Sequence, residues 1–420
     1  MRANMKFASS KALKRLFRAA ARRDERLIAR SGLFDEPWYL TNNPDAAHFP
    51  GGALRHFLLH GGRELRDPNP YFDSAWYCQN RPDFDRDQSN PLVHYLERGS
   101  ADGARPSPNF DPAWYRTSYP DVAIAGIEPL SHFLRLGKAE GRLPQASNQF
   151  RSVEEAALLR LKAPSPRETM ALFACHAPGG RIKPHVRPFL EALAGQGVAT
   201  TLIVAADEIQ SVDWRELFDT ADGLYVRQAQ GYDFAAWACI ARELDMSHTR
   251  CLGLVNDSII GPLNAESFSI VFDRIRASRA HLIGLTDSVQ ITHHLQSYFL
   301  IAKGEGVPAL RDFLAGVKAY DRKEEVVINY EVPLSRRFRE ANLTVEALFP
   351  SSTDGNETIE RWRELIQRGF PFVKAKALRL PGAEDWRNVL QAQGYDAGIA
   401  ERTLAIIERN DARPAQSPPP

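Results

Sequence analysis

The sequence predicts an α/β domain built on a mainly parallel sheet, with an all-α repeat module ahead of it and helices after it. Three observations lead there. Strand-like and helix-like segments alternate from Met170 to Asp257; a 38-residue unit recurs three times upstream without insertion; and residues 148–168 between them lose periodicity around "APSPRE". At 420 residues the chain has room for two or three domains.

Residues 1–30 read as a basic amphipathic helix. Leu13, Leu16, Phe17, Ala20 and Leu27 share one face, while Lys11, Lys14, Arg15, Arg18, Arg22 and Arg23 supply the other. Such a helix either packs lightly on a neighbour or lies on anionic lipid, where each basic residue contributes roughly 1 kcal/mol. The second alternative gives peripheral contact with the inner face of the cytoplasmic membrane.

The repeats occupy residues 31–147. "FDEPWY", "FDSAWY" and "FDPAWY" begin at Phe34, Phe72 and Phe110, and the register carries through Pro44-Asp45, Pro82-Asp83 and Pro120-Asp121, through His56, His94 and His132, and through Gly61, Gly99 and Gly137. Proline at a helix start and glycine at its end make each unit two short helices whose aromatic faces bury against the next unit. The histidines fall one per unit with no Cys or carboxylate at ligand spacing, which favours a structural role over a metal site. Trp38, Trp76 and Trp114 read as core residues rather than a sugar-stacking platform.

Composition sets limits on partners and compartment. With 53 basic against 52 acidic residues there is no global field to recruit nucleic acid. Cys78, Cys175, Cys239 and Cys251 form no CxxC pair, which fits a reducing cytoplasm, and no apolar run approaches the ~18 residues of a membrane span.

The α/β domain spans 169–350. "MALFACH", "ATTLIVAAD", "GLYVRQA" and "CLGLVND" read as strands; "KPHVRPFLEALAGQG", "DWRELFDTA" and "YDFAAWACIAREL" read as helices. A helical extension follows over 351–410, and 411–420, ending in "PPP", reads as a disordered tail. Asp207 closes the second strand and Asn256, Asp257 and Ser258 close the fourth, so all should face the crevice at the carboxyl ends of the strands. There is no GxxxxGK[ST], no GxGxxG after the first strand, no HExxH and no GxSxG, which removes most nucleotide hydrolases, dehydrogenases, zinc proteases and α/β-hydrolases. An Asp among small oxygen donors can hold Mg²⁺ or Mn²⁺ beside a diphosphate, or can merely cap an Asx-turn; spacing alone leaves both open.

Five motifs in order, "GRIKPHV", "GYDFAAW", "LVNDSIIGP", "GLTDS" with "HHLQSYFL", and "YEVPLSRRF", resemble the rhamnan synthesis protein F family of bacterial polysaccharide glycosyltransferases. The likeness continues through "RWRELIQRGFPFVKAKALR" and "DWRNVLQAQGYD". It implies a Rossmann-like, GT-A-like domain that moves a sugar from a nucleotide-sugar donor such as dTDP-rhamnose to a glycan or lipid-linked acceptor in surface-polysaccharide assembly.

A wider resemblance, to family-two inverting glycosyltransferases, implies site roles. Asp207 matches the nucleobase-side Asp, and Asn256, Asp257 and Ser258 match the DXD strand end, where Asp257 would hold Mg²⁺ or Mn²⁺. Glu331 matches the second acid of an E-D pair, the general base. Asp233 and Lys183 join the nucleotide-sugar set, Lys183, Arg336 and Arg337 offer charge for the diphosphate, and His294, Gln296 and Ser297 would contact the acceptor. Asp287 is the second candidate for base. "VPLSRRF" after Glu331 reads as a helix first turn, whose dipole would keep that carboxylate ionised. Two contrasting readings are a non-catalytic scaffold built from a degenerate transferase domain and a carbohydrate-binding module with a nucleotide-sensing domain.

Overall fold

The computed structural model describes residues 19–85, 89–353 and 355–411, and the chain divides into two compact units at Asn148/Gln149. The basic face predicted for residues 11–18 and the tail from 412 lie outside the described residues.

In the first unit the repeat signature maps onto a repeated set of bonds. Asp35, Asp73 and Asp111 cap their helices by accepting from the backbone N–H of Trp38, Trp76 and Trp114, which fixes the FDxxW spacing. The tryptophans are only partly buried; the neighbouring Tyr39, Tyr77 and Tyr115 form the core instead. Each tyrosine hydroxyl bonds Nδ1 of the unit's histidine, at 3.0, 2.9 and 3.0 Å, so the histidines are structural as expected. The same hydroxyls explain the glycines. A Cβ at Gly61, Gly99 or Gly137 would lie 2.2 Å from the hydroxyl oxygen, and each glycine ends a wide π-helical turn, such as Tyr95–Gly99. Asn90 bonds back to Phe57 and Glu128 back to Tyr95 and Ser100, joining successive units, while Ser131 and Arg135 of the third unit bond residues 31 and 30, ahead of the first. The third unit therefore also contacts the segment that leads into the first.

Among the described residues the second unit holds a nine-stranded sheet of mixed direction and a separate two-stranded one. Its strands are β1 (Leu158–Lys162), β2 (Thr169–His176), β3 (Ala199–Ala206), β4 (Gly223–Gln228), β5 (Cys251–Asn256), β6 (Ile259–Ile260), β7 (Leu282–Ser288), β8 (His294–Leu295), β9 (Phe299–Lys303), β10 (Val345–Phe349) and β11 (Val373–Lys374). The order β1-β4-β3-β2-β5-β9-β7-β10 is parallel from β4 to β5 and between β7 and β10; β1 and β9 run antiparallel. The apolar runs of β2, β3 and β5 are buried along nearly their whole length, as expected where helices cover both faces. Those covers include α1 (Val186–Gly195), α2 (Tyr232–Ala241), α3 (Ala265–Ala277), α4 (Gly306–Ala315) and α5 (Val332–Glu340). Helices α6 (Trp362–Gln367), α7 (Trp386–Ala392) and α8 (Ala397–Asp411) follow, and Trp362, Trp386, Leu390 and Leu404 share an apolar cluster with Ile260.

Three expectations change. Residues 148–168 supply edge strand β1 rather than only a linker, its alternation too short to stand out. "DWRELFDTA" forms a single 3₁₀ turn, Arg215–Leu217, not an α-helix. The region 351–410 is not purely helical, because β11 pairs antiparallel with β6, Lys374 opposite Ile259. All four cysteines are free thiols, and among the described residues no helix is long and apolar enough to cross a membrane.

Candidate functional site

β2 is flanked by β3 on one side and β5 on the other, so the connections leaving β2 and β5 part at their carboxyl ends and open a crevice. A cavity of about 350 Å³ lies there, lined among others by Ala174, His176, Gln230, Tyr232, Asp233 and Tyr320. Gly231, which opens α2, has φ of 70°, and a Cβ there would lie 2.6 Å from Ala319, so the "GYD" motif needs glycine. Tyr232 beside it also has a positive φ, 58°, a strained state for a residue with a side chain and one that concentrates at functional sites.

Asn256 makes both a turn and a contact. Its Oδ1 accepts from the N–H of Ser258 at 3.0 Å and from the Ser258 hydroxyl at 2.6 Å, an Asx-turn, while its Nδ2 donates to Asp233 Oδ2 at 2.7 Å. Burial, then the charge of Asp257, push the Asp233 carboxyl up to about 6. Asp233 thus belongs to both the cavity wall and the strand-end cluster.

Asp257 is buried. Its Oδ2 accepts from the Lys183 ammonium at 2.6 Å and from the His176 N–H at 2.9 Å. Burial alone would raise this carboxyl, yet Lys183 holds it below the ordinary range; the Lys183 ammonium is correspondingly raised against its own burial. His185 Nε2–H donates to the Asp257 carbonyl at 3.1 Å, and its Nδ1 accepts from Thr403 of α8. Burial pulls that imidazole down to about 4, so it is neutral.

These bonds decide how well the cluster suits a divalent cation. Asp257 is already neutralised by an ammonium, the Asn256 oxygen is filled by Ser258, and among the described residues no group of three His, Cys, Asp or Glu could hold a metal. The residues present do not fit the Mg²⁺ or Mn²⁺ expected at Asp257.

A second cluster forms around Glu331. Its Oε2 accepts from the Ser297 N–H at 3.1 Å and from the Ser297 hydroxyl, and its Oε1 lies 3.6 Å from Nε2 of His294. His294 Nδ1–H donates to the Thr292 carbonyl, leaving Nε2 for Glu331. Burial opposes ionisation of Glu331, but His294, Ser297 and Lys374 bring it down to about 2; burial would lower His294, and Glu331 raises it. The helix dipole is not the cause. Helical structure runs from Lys323 through a π-turn, Val327–Glu331, into α5, so Glu331 sits inside a continuous helical run.

The remaining expected residues divide by exposure. Asp207 follows β3, exposed and outside the cavity lining. His294, Gln296 and Ser297 are buried rather than forming an open acceptor surface: His294 and Ser297 hold Glu331, and Gln296 Oε1 takes the Thr286 hydroxyl at 2.7 Å. Asp287 has both oxygens engaged, by the Ser351 N–H at 2.6 Å and by His293 at 2.8 Å, and its side chain is 7% exposed against 20% for Glu331. Arg336 and Arg337 lie on the solvent face of α5, and Lys183 is spent on Asp257.

Lys374 was not among the expected residues. β11 lays it beside the strand end, where Ala375 N–H bonds the Ser258 carbonyl at 3.2 Å, and its Nζ stands 4.8 Å from the Tyr298 ring centroid. Burial, with Lys323 and Lys376 adding to it and Glu331 opposing, pulls its ammonium down to about 8. Lys374 in "PFVKAK" has no periodicity to mark it as a site residue, since its strand is two residues long.

The family model for rhamnan synthesis protein F matches residues 201–415. The virulence protein VirA of Vibrio anguillarum is 27% identical over 203 residues, which cover 39% of this chain and 64% of VirA. The chain thus spans less than two thirds of that relative. Among solved structures, a protein assigned as a nucleotide-diphospho-sugar transferase from Desulfovibrio desulfuricans G20 aligns over 58% of this chain and 96% of its own, at 14% identity and a TM-score of 0.30. HddC from Yersinia pseudotuberculosis aligns over 53% and 99%, at 11% identity and a TM-score of 0.30. At such scores the chemistry has to be read from this chain's own residues.

Proposed function

Because the chain belongs to the rhamnan synthesis protein F family, we propose that it is a glycosyltransferase of cell-surface polysaccharide assembly, moving a sugar, rhamnose first among candidates, from a nucleoside diphosphate to a glycan or lipid-linked acceptor. The observation that carries this reading is the 350 Å³ cavity at the switch point of the sheet, meeting the strand-end cluster at Asp233. The nucleoside would occupy the cavity, with Tyr232 beside the base. The diphosphate would then lie near Asn256 and Ser258, and the sugar toward Glu331.

In the inverting form of the reaction, the acceptor hydroxyl oxygen bonds to the anomeric carbon as the bond from that carbon to the diphosphate oxygen breaks. The electron pair of that bond leaves with the diphosphate, and a carboxylate takes the hydroxyl proton. Glu331 is the carboxylate we assign, since it is ionised at neutral pH and its Oε1 has only the His294 Nε2 beside it, at 3.6 Å. Asp233 is the second reading, favoured by its value of about 6, better matched to a base working near neutrality.

A thermal-shift screen of nucleotide sugars tests the function, followed by transfer assays with the stabilising donor. A donor at a hundred times its Kd should stabilise the protein by about 2.7 kcal/mol. Absence of any response would favour the non-catalytic scaffold, a reading to which the Lys183 cap on Asp257 lends weight.

A further inference from the structure

We propose that Lys374, not a divalent cation, carries the charge that binds and stabilises the departing diphosphate. The inference rests on the transferase reading above and deepens it.

The argument starts from what the strand end lacks. A diphosphate leaving group must have positive charge beside it, and the usual device is a metal ion held by strand-end carboxylates. Here the Asp257 carboxylate is closed by the Lys183 ammonium at 2.6 Å, with both side chains 8% exposed. Lys183 is equally consumed, since its Nζ also donates to the His176 carbonyl at 3.1 Å. That pair is neutral and turned inward, so it offers a diphosphate little net charge.

Lys374 is in the opposite condition. The ladder between β6 and β11 fixes its backbone one step from Ser258, at the mouth of the same strand end. Its ammonium faces the Tyr298 ring and has no hydrogen-bond or ion-pair partner among the described residues. Lys323 and Lys376 lie near enough for their charges to act on it, and Lys323 also acts on Asp233. A cation drawn partly out of water with no bonded counter-ion, the Glu331 carboxylate acting on it only at a distance, is a site built for an anion that arrives with the ligand. Chain geometry supports the assignment as well: β11 is a two-residue strand whose partner β6 follows Asn256, Asp257 and Ser258 directly, so ladder pairing and lysine position are fixed together.

The step balances without a metal. The bond between the anomeric carbon and the diphosphate oxygen breaks, its electron pair stays on that oxygen, and the Lys374 ammonium hydrogen-bonds the charge so formed.

The test is calorimetric titration of the full chain with inorganic pyrophosphate, with UDP, dTDP and GDP, and with the matching nucleosides, in excess EDTA and again in millimolar Mn²⁺. We expect one nucleoside diphosphate to bind equally well in both buffers. Lys374→Met should weaken it and pyrophosphate about tenfold or more, as loss of a charge-assisted bond does, and leave the nucleoside unchanged. Lys374→Arg should restore most of the affinity, which excludes misfolding as the cause. Binding that requires Mn²⁺, or an unchanged diphosphate affinity in a folded Lys374→Met, would overturn the proposal. If no nucleotide binds but pyrophosphate does so through Lys374, the transferase reading fails and the anion site stands; if pyrophosphate binds nowhere, the anion site fails.

Discussion

Lys183, in the loop after β2, places its ammonium 2.6 Å from Oδ2 of Asp257 at the end of β5, so the acid expected to face a ligand instead faces a lysine. The pair holds two segments of the crevice together. Removing one partner of a buried ion pair leaves the other charge uncompensated, at a cost of about 3–5 kcal/mol.

Lys183→Met and Asp257→Asn should therefore each lower unfolding free energy by about that amount in urea titrations, and the double variant carrying both should recover much of the loss. Additive losses in the double variant would show that the two side chains are not coupled.

The identity of the base can be read from the pH profile. A base must be deprotonated, so turnover falls as pH drops through its pKa. With Glu331 at about 2, kcat should stay flat from neutrality down to the acid limit of folding; with Asp233 at about 6, it should already fall below that pH. We expect the flat profile, and a loss of roughly 10² to 10⁴ in kcat for Glu331→Gln with donor affinity retained. A limb near pH 6 that disappears in Asp233→Asn would transfer the role to Asp233.

Asp233 also carries a stability cost. Its folded value of about 6 exceeds the unfolded 3.8, so ionisation penalises the folded state, partly between those values and fully above 6. Asp233→Asn should raise stability at pH 8 by about 1–3 kcal/mol and change little near pH 3.5. The comparison of melting curves at the two pH values checks this, and equal gains at both would point to packing rather than charge.

In the repeat module Gly99→Ala should destabilise by about 1–3 kcal/mol, because the new methyl group meets the Tyr77 hydroxyl oxygen at 2.2 Å. Tyr77→Phe removes that oxygen, and the nearest ring carbon then stands 3.2 Å away, so the double variant should be more stable than Gly99→Ala alone. A double variant worse than both singles would place the strain elsewhere.

What could be read in the sequence follows the physics of each signal. The buried parallel strands announce themselves through apolar runs such as "TLIVAA", and the repeat register through aromatic and glycine spacing that one tyrosine hydroxyl turns out to impose. β9 entering the sheet antiparallel, the two-residue strands β8 and β11, and edge strand β1 are set by tertiary pairing and leave no periodic trace. The site divides the same way. Asn256 and Asp233 stand where strong elements end or begin and Glu331 was reached through the "YEVPLSRRF" resemblance, whereas the burial of Gln296 and the capture of Asp257 by Lys183 depend on which distant segment folds over them.

The β6–β11 ladder has a consequence for the order in which the protein is made. A ribosome delivers Asn256 roughly 120 residues before Lys374, a delay of roughly 6 to 24 seconds at ordinary rates of synthesis. Through that interval the nascent sheet can form its central strands, but the lysine that closes the strand end has yet to emerge. If Lys374 holds the diphosphate as proposed, that capacity arrives late in translation, after the central strands have had time to form.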